Sequence, residues 1–140
     1  MAGDFLDTNV LVYLAQGDAA KADRVEALLA VNPTVSVQVL NELANVLRRK
    51  ASFSWSEVVR FLAIIRELSE VSPLSVEVHD AGLSIAERYG LSVYDAMIVA
   101  AAIASGCDTL WSEDMHDGLV VDARLQIQNP FSRLTRDCMG

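Results

Sequence analysis

Four acidic residues stand in this chain where a charge should be costly. Asp7 follows Phe5-Leu6 and opens Asp7-Thr8-Asn9. Glu42 lies in Val39-Leu40-Asn41-Glu42-Leu43, Asp95 in Ser92-Val93-Tyr94-Asp95-Ala96, and Asp114 in Trp111-Ser112-Glu113-Asp114-Met115. Each ends an apolar run or interrupts one. Brought together, such carboxylates repel one another, and burial raises their pKa values until some lose their charge. A hard divalent cation resolves that conflict, because Mg2+ or Mn2+ takes oxygen ligands and gains from their negative charge. The chemistry these residues point to is a metal site able to activate water.

Each carboxylate also has a plainer role open to it. Asp7 is a natural N-cap for the helix predicted after it. Thr8 and Asn9 are then either turn residues or groups that hold its carboxylate in place. Glu42 sits on the margin of its helix's apolar stripe and would pass for a solvated glutamate, were it not close to the helix start. Ser92 to Asp95 resembles a capping box with Asp in the place of Glu. Yet residues 96–103 are apolar on every side, which marks a buried helix, and a buried carboxylate needs a counter-charge. Asp114 belongs to an acidic segment that would also serve as a surface turn. Within that segment Asp117 is either a further ligand or an outer group, and Ser112 either bonds a ligand or closes the strand. Glu113 would point away from Asp114 if the strand continued, and is left out. His116 reads as a solvated loop histidine and His79 as a structural one.

The elements that must bring these residues together alternate. Short strands are predicted over 3–6, 34–37, 71–74, 108–112 and 125–127, the third short or at an edge because of Pro73. Helices are predicted over 10–14, 18–30, 39–50, 54–68, 76–89 and 92–106. Asn32-Pro33 breaks the second of these, Ser54 caps the fourth, and Gly90 closes the fifth. Strands alternating with helices imply a parallel sheet covered on both faces. The expected fold is therefore a three-layer α/β/α domain with a short central parallel sheet of four to five strands, one domain over residues 1–140. Ligands of such sheets bind beyond the carboxyl ends of the strands. Asp7 and Asp114 lie just past the first and fourth strands, and Glu42 and Asp95 near helix starts, so all four fit one edge.

Composition narrows the partners. With 52% apolar residues among 140, the chain can bury a solid core. Its 19 acidic and 11 basic residues give a net charge of −8, which argues against gripping nucleic acid through bulk positive charge. A nuclease whose acidic centre is neutralised by metal remains compatible. The run Arg48-Arg49-Lys50 either meets phosphates or complements a helix dipole. Cys107 and Cys138 have neither zinc spacing nor the numbers for a disulfide framework; Cys107 reads as a core thiol and Cys138 as part of a polar tail. No secretory signal is visible, and the apolar run 97–103 is too short to cross a bilayer. A cytoplasmic protein is expected, with no membrane partner.

The order of these motifs is closed by Tyr94-Asp95-Ala96-Met97-Ile98-Val99-Ala100-Ala101-Ala102 and by Gly106-Cys107-Asp108-Thr109-Leu110-Trp111-Ser112-Glu113-Asp114-Met115. As a set they resemble the PIN-domain nucleases, and among them the VapC-type toxins of bacterial toxin–antitoxin systems. The likeness runs from Phe5 to Asn129-Pro130-Phe131, nearly the whole length. It implies catalytic roles for Asp7, Glu42, Asp95 and Asp114, metal binding by Asp7, Asp95, Asp114 and Asp117, and supporting polar roles for Thr8, Asn9 and Ser112. It implies a Mg2+- or Mn2+-dependent endoribonuclease, the toxin of a type II pair. Such an enzyme hydrolyses RNA phosphodiesters through a metal-activated water held by the acidic cluster. It further implies a homodimer and a cognate antitoxin whose basic segment blocks the groove. Two alternatives stand beside it: a catalytically silent PIN-like scaffold that binds a partner, and a metal-dependent nuclease acting on DNA. A phosphorelay receiver, also acidic and α/β, fails, since the third strand offers Leu74-Ser75 where a phosphoacceptor Asp belongs and no Lys follows Lys50.

Overall fold

In the computed structural model, which describes residues 3–132, the chain forms β1 (Gly3–Leu6), α1 (Thr8–Leu11), a 3-10 turn (Val12–Leu14) and α2 (Ala19–Leu29). There follow β2 (Thr34–Ser36), α3 (Val37–Arg49), α4 (Trp55–Leu68), β3 (Glu70–Ser72), α5 (Val76–Tyr89) and α6 (Val93–Ala104). β4 (Cys107–Trp111), β5 (Val120–Val121) and β6 (Leu125–Gln128) complete it. One sheet takes the order β3-β2-β1-β4-β6-β5. β1 is paired in parallel with β2 and β4, β2 with β3, and β4 with β6; only β5 runs antiparallel, against β6.

The chain starts in the middle of this sheet, steps outward to β2 and β3, and then returns across it to β4 on the other side of β1. Strand order therefore reverses between β1 and β4, the position where α/β sheets open a binding crevice. The right-handed rule for parallel crossovers puts α1–α4 over one face and α5 and α6 over the other. α6 accordingly lies along β4, β2 and β6, with α5 packed on it.

The core follows from the apolar patterning. Phe5, Leu6, Val35, Leu110 and Ile127 are fully buried, as strands covered on both faces require. All of α6 from Ala96 to Ala102 is buried, in keeping with a helix apolar on every side. α5 meets it closely at Gly82, where an added Cβ would stand 2.6 Å from Met97 Sδ. Local signals set the ends. Ser54 and Glu57 form a reciprocal capping box at the start of α4, and Gly90 closes α5 in the left-handed region at φ 69°. β3 stops before Pro73 and is one of the two edge strands. Cys107 is a buried free thiol, while Cys138 lies outside the described residues. Among the described residues no helix is long and apolar enough to cross a membrane.

Several bounds shift by a residue or two from expectation, and two of the shifts and one added strand have a clear local cause. α1 begins directly after Asp7 instead of at Val10. Ser36 accepts the Val39 N–H at 3.2 Å and so ends β2 one residue early, starting α3 at Val37 and moving Glu42 into its second turn. The sheet has a sixth strand, β5, whose two residues carry no readable alternation. It is set by the turn through Asp122 and Ala123, with φ 51° and 54°.

Candidate active site

Asp7 leaves the sheet where β1 and β4 end. Its N–H donates to the Trp111 carbonyl at 3.0 Å, the last rung between the two strands. Its side chain then accepts three bonds. Oδ1 takes the Thr8 N–H at 2.7 Å, and Oδ2 takes Asn9 Nδ2 at 3.1 Å and the Ser112 hydroxyl at 2.8 Å. Asn9 Oδ1 accepts the Glu113 N–H at 3.0 Å, and Ser112 Oγ accepts the Met115 N–H at 3.2 Å. Asp7 thus caps α1 and is at the same time locked to the segment after β4. It is 4% exposed. Burial drives its pKa from 3.8 up to about 6; the Ser112 and Thr8 bonds pull it down, and the charges of Asp95 and Glu42 push it up. Desolvation wins.

Glu42 projects from α3 half-buried, with Oε2 accepting Gln38 Nε2 at 3.0 Å. Burial raises its pKa, the Gln38 bond lowers it, and the charge of Asp95 raises it again. Asp95 is the third residue of α6. The Ser92 hydroxyl accepts its N–H at 3.2 Å, but the returning bond from the carboxylate to the Ser92 N–H is not made. Half a capping box forms, and the carboxylate faces the cleft. Burial raises its pKa, Ser92 holds it down, and the charge of Asp114 raises it. Asp114 is exposed, beyond the end of β4. The four acids line one cleft of about 760 Å³ together with Thr8 and Asn9.

Other sequence candidates fall elsewhere. Asp117, expected among the metal ligands, does not line the cleft; its Oδ1 accepts the Asn129 N–H at 2.8 Å and pins the loop before β5 to the end of β6. His116 is exposed and also off the cleft. His79 is exposed on α5, beside Leu74, Val76 and Tyr94.

Conversely, Glu113, set aside on strand alternation, reaches the cleft wall because β4 ends at Trp111. It accepts the Tyr13 hydroxyl at 2.5 Å and pairs with Lys21 Nζ at 2.7 Å, which also lies over the Tyr13 ring. Tyr13 and Lys21 carry no sequence signal for this role; an exposed run of mixed charge hides a contact that forms only in the fold.

Among the described residues no three His, Cys, Asp or Glu side chains converge tightly on one point. A closed cage is not what Mg2+ needs, since it keeps several waters and binds through one or two carboxylates. The donor set fits such a partly hydrated cation, being all oxygen, acidic and mutually repelling. The Thr8 hydroxyl, buried beside Asp7 and without a hydrogen-bond partner, likewise marks the cleft wall as a surface for a polar occupant.

Comparison with known proteins gives the family and the fold. The profile of the PIN domain family matches residues 5–116. No curated protein gives a significant match. Among solved structures, the sarcin-ricin loop cleaving toxin VapC20 of Mycobacterium tuberculosis is similar at 22% identity and TM-score 0.65, over 79% of this chain and 91% of that one. FitAcB of Neisseria gonorrhoeae is similar at 21% identity and TM-score 0.68, over 92% and 99%. VapBC2 of Rickettsia felis, bound to a DNA fragment from its promoter, is similar at 22% and TM-score 0.65, over 90% and 97%. At these identities the structural likeness establishes the fold.

Proposed function

Because the chain belongs to the PIN domain family, we propose that it is a divalent-cation-dependent endoribonuclease, the toxin of a type II toxin–antitoxin pair, formed by a single domain. The observation that carries this reading is the convergence of Asp7, Glu42, Asp95 and Asp114 on one cleft at the sheet's switch point. Asp7, Asp95 and Asp114 are the candidate ligands for Mg2+ or Mn2+, of which one or two would bind the ion directly and the rest through its water shell. Asp117, engaged by the Asn129 N–H, stands outside that set. When bound, the cation lowers the pKa of water and stabilises charge on the phosphoryl oxygens.

The chain's own residues supply orientation and proton traffic. Thr8, Asn9 and Ser112 fix both oxygens of Asp7, so a ligand there meets a carboxylate that has no freedom left to lose. Glu42 has Oε2 occupied by Gln38 and a raised pKa, which leaves Oε1 to hold or take a proton from the attacking water. Water as nucleophile would give a 5′ phosphate and a 3′ hydroxyl. RNA is favoured over DNA because a similar fold is that of a sarcin-ricin loop cleaving toxin. An antitoxin is the natural partner, since similar folds occur in toxin–antitoxin complexes; a basic antitoxin segment would suit a cleft of four carboxylates. The reading includes a homodimer.

Incubation of the purified chain with RNA and with DNA, in Mg2+, Mn2+ or EDTA, tests this. RNA cleavage that EDTA abolishes is expected. No cleavage in any metal would leave a partner-binding scaffold, and cleavage of DNA alone would change the substrate.

A further inference from the structure

The carboxylates explain how a phosphodiester would be attacked, but not how a chain with a net charge of −8 would hold a polyanion. The residues free to do so lie at the end of α3. Glu42, Val46 and Lys50 follow one another at every fourth position along the cleft, which puts Lys50 roughly 12 Å along the axis from Glu42. Among the described residues Lys50 is the one Lys or Arg lining the cleft. One residue back on each turn, Asn41, Asn45 and Arg49 edge a second groove of about 480 Å³, closed by Arg48 and Trp55.

Trp55 is 66% exposed, unusual for a residue that is ordinarily well buried. The Arg48 guanidinium lies 4.4 Å from its ring centroid and donates to the Phe53 carbonyl at 2.8 Å, so the indole is held as a platform. The side chains of Arg49 and Lys50 make no ion pair or hydrogen bond with any described residue. Three of the chain's 11 basic residues are thus concentrated beside an exposed aromatic ring and next to the acidic cleft. A basic antitoxin segment would be repelled there, whereas a nucleic-acid strand leaving the cleft would be neutralised.

Resting on the nuclease reading above, we propose that the end of α3 and Trp55 form a subsite for single-stranded RNA flanking the cleaved bond. Lys50 and Arg49 contact phosphates, and a base stacks on Trp55. Stacking platforms next to basic residues hold single strands without reading sequence. This would set affinity while leaving the chemical step alone.

The test is binding of a short fluorescein-labelled single-stranded RNA to the Asp7→Asn protein, which should hold RNA without cutting it. Trp55→Ala should weaken binding roughly 5- to 100-fold, with Trp55→Phe recovering part of it. Arg49→Ala and Lys50→Ala should each reduce the salt slope of binding by about 0.7. In the cleaving protein Trp55→Ala should raise KM with kcat unchanged. Unchanged affinity in the three alanine variants would overturn the subsite while leaving the nuclease intact. Variants that keep RNA affinity but lose the antitoxin would assign the groove to a protein instead, overturning the proposal. A parent chain that neither binds nor cleaves RNA would remove both readings together.

Discussion

Asp7 and Asp117 are the same side chain in opposite circumstances. Asp7 is buried at the meeting of β1 and β4, with both oxygens fixed by neighbours and burial raising its pKa to about 6. Asp117 is exposed on a loop, and its carboxylate joins that loop to Asn129. One carries a charge that the fold alone does not compensate; the other has a sufficient structural task. An uncompensated buried charge is the stronger mark of a functional group.

Substitutions can break or sharpen that comparison. Asp7→Asn should remove cleavage to background, because the charge that attracts the cation is gone. Its folded stability at pH 7 should be equal or higher, since a costly buried charge goes with it; thermal unfolding beside the cleavage assay checks both. Glu42→Gln should slow cleavage on the order of 10²- to 10⁴-fold as the proton acceptor is lost. Ser112→Ala leaves the Asp7 carboxylate in place but removes one of the two bonds to its Oδ2, and should cost about 10- to 100-fold in metal affinity or turnover. Asp117→Asn should change cleavage least, less than about 3-fold, because the amide can still accept from Asn129. A loss as large as that of Asp7→Asn would place Asp117 among the metal ligands after all.

The pH dependence of the metal-free protein sharpens the same contrast. Asp7 binds its proton more tightly folded, at about 6, than unfolded, near 3.8. Between those values the folded state holds more protons, so stability falls as pH rises through the window and levels off above it. Burial raises Glu42 and Asp95 in the same direction. The Asp7 share is on the order of 2–3 kcal/mol. Chemical denaturation from pH 4 to 7 in EDTA should show this slope, Asp7→Asn should flatten it, and a stability that rises over that range would contradict the burial argument.

Much of this was legible in the sequence where one local rule dominated. The unbroken apolar run of α6 required burial, Ser54 with Glu57 and Gly90 set helix ends, and alternation of strands and helices gave the parallel sheet. The four acids could be named because each sat against apolar neighbours and each fell at one sheet edge. What stayed hidden depends on distance in the chain. Tyr13 and Glu113 are 100 residues apart and meet only because β1 and β4 are neighbours. Glu113 reaches the cleft wall because the strand stops at Trp111, so strand alternation does not govern where it points. Asp117 has the same composition around it as Asp114, and only the fold shows that a backbone N–H from Asn129 occupies it. β5 is two residues long, too short for any period.

The central claim is that acids remote in sequence share a cation, and calorimetric titration of Mn2+ into the protein tests it without reference to any substrate. Binding in the unsubstituted chain that is lost or greatly weakened in Asp7→Asn and in Asp95→Asn is the expected result. Equal heats in all three proteins, or none in the unsubstituted chain, would contradict it.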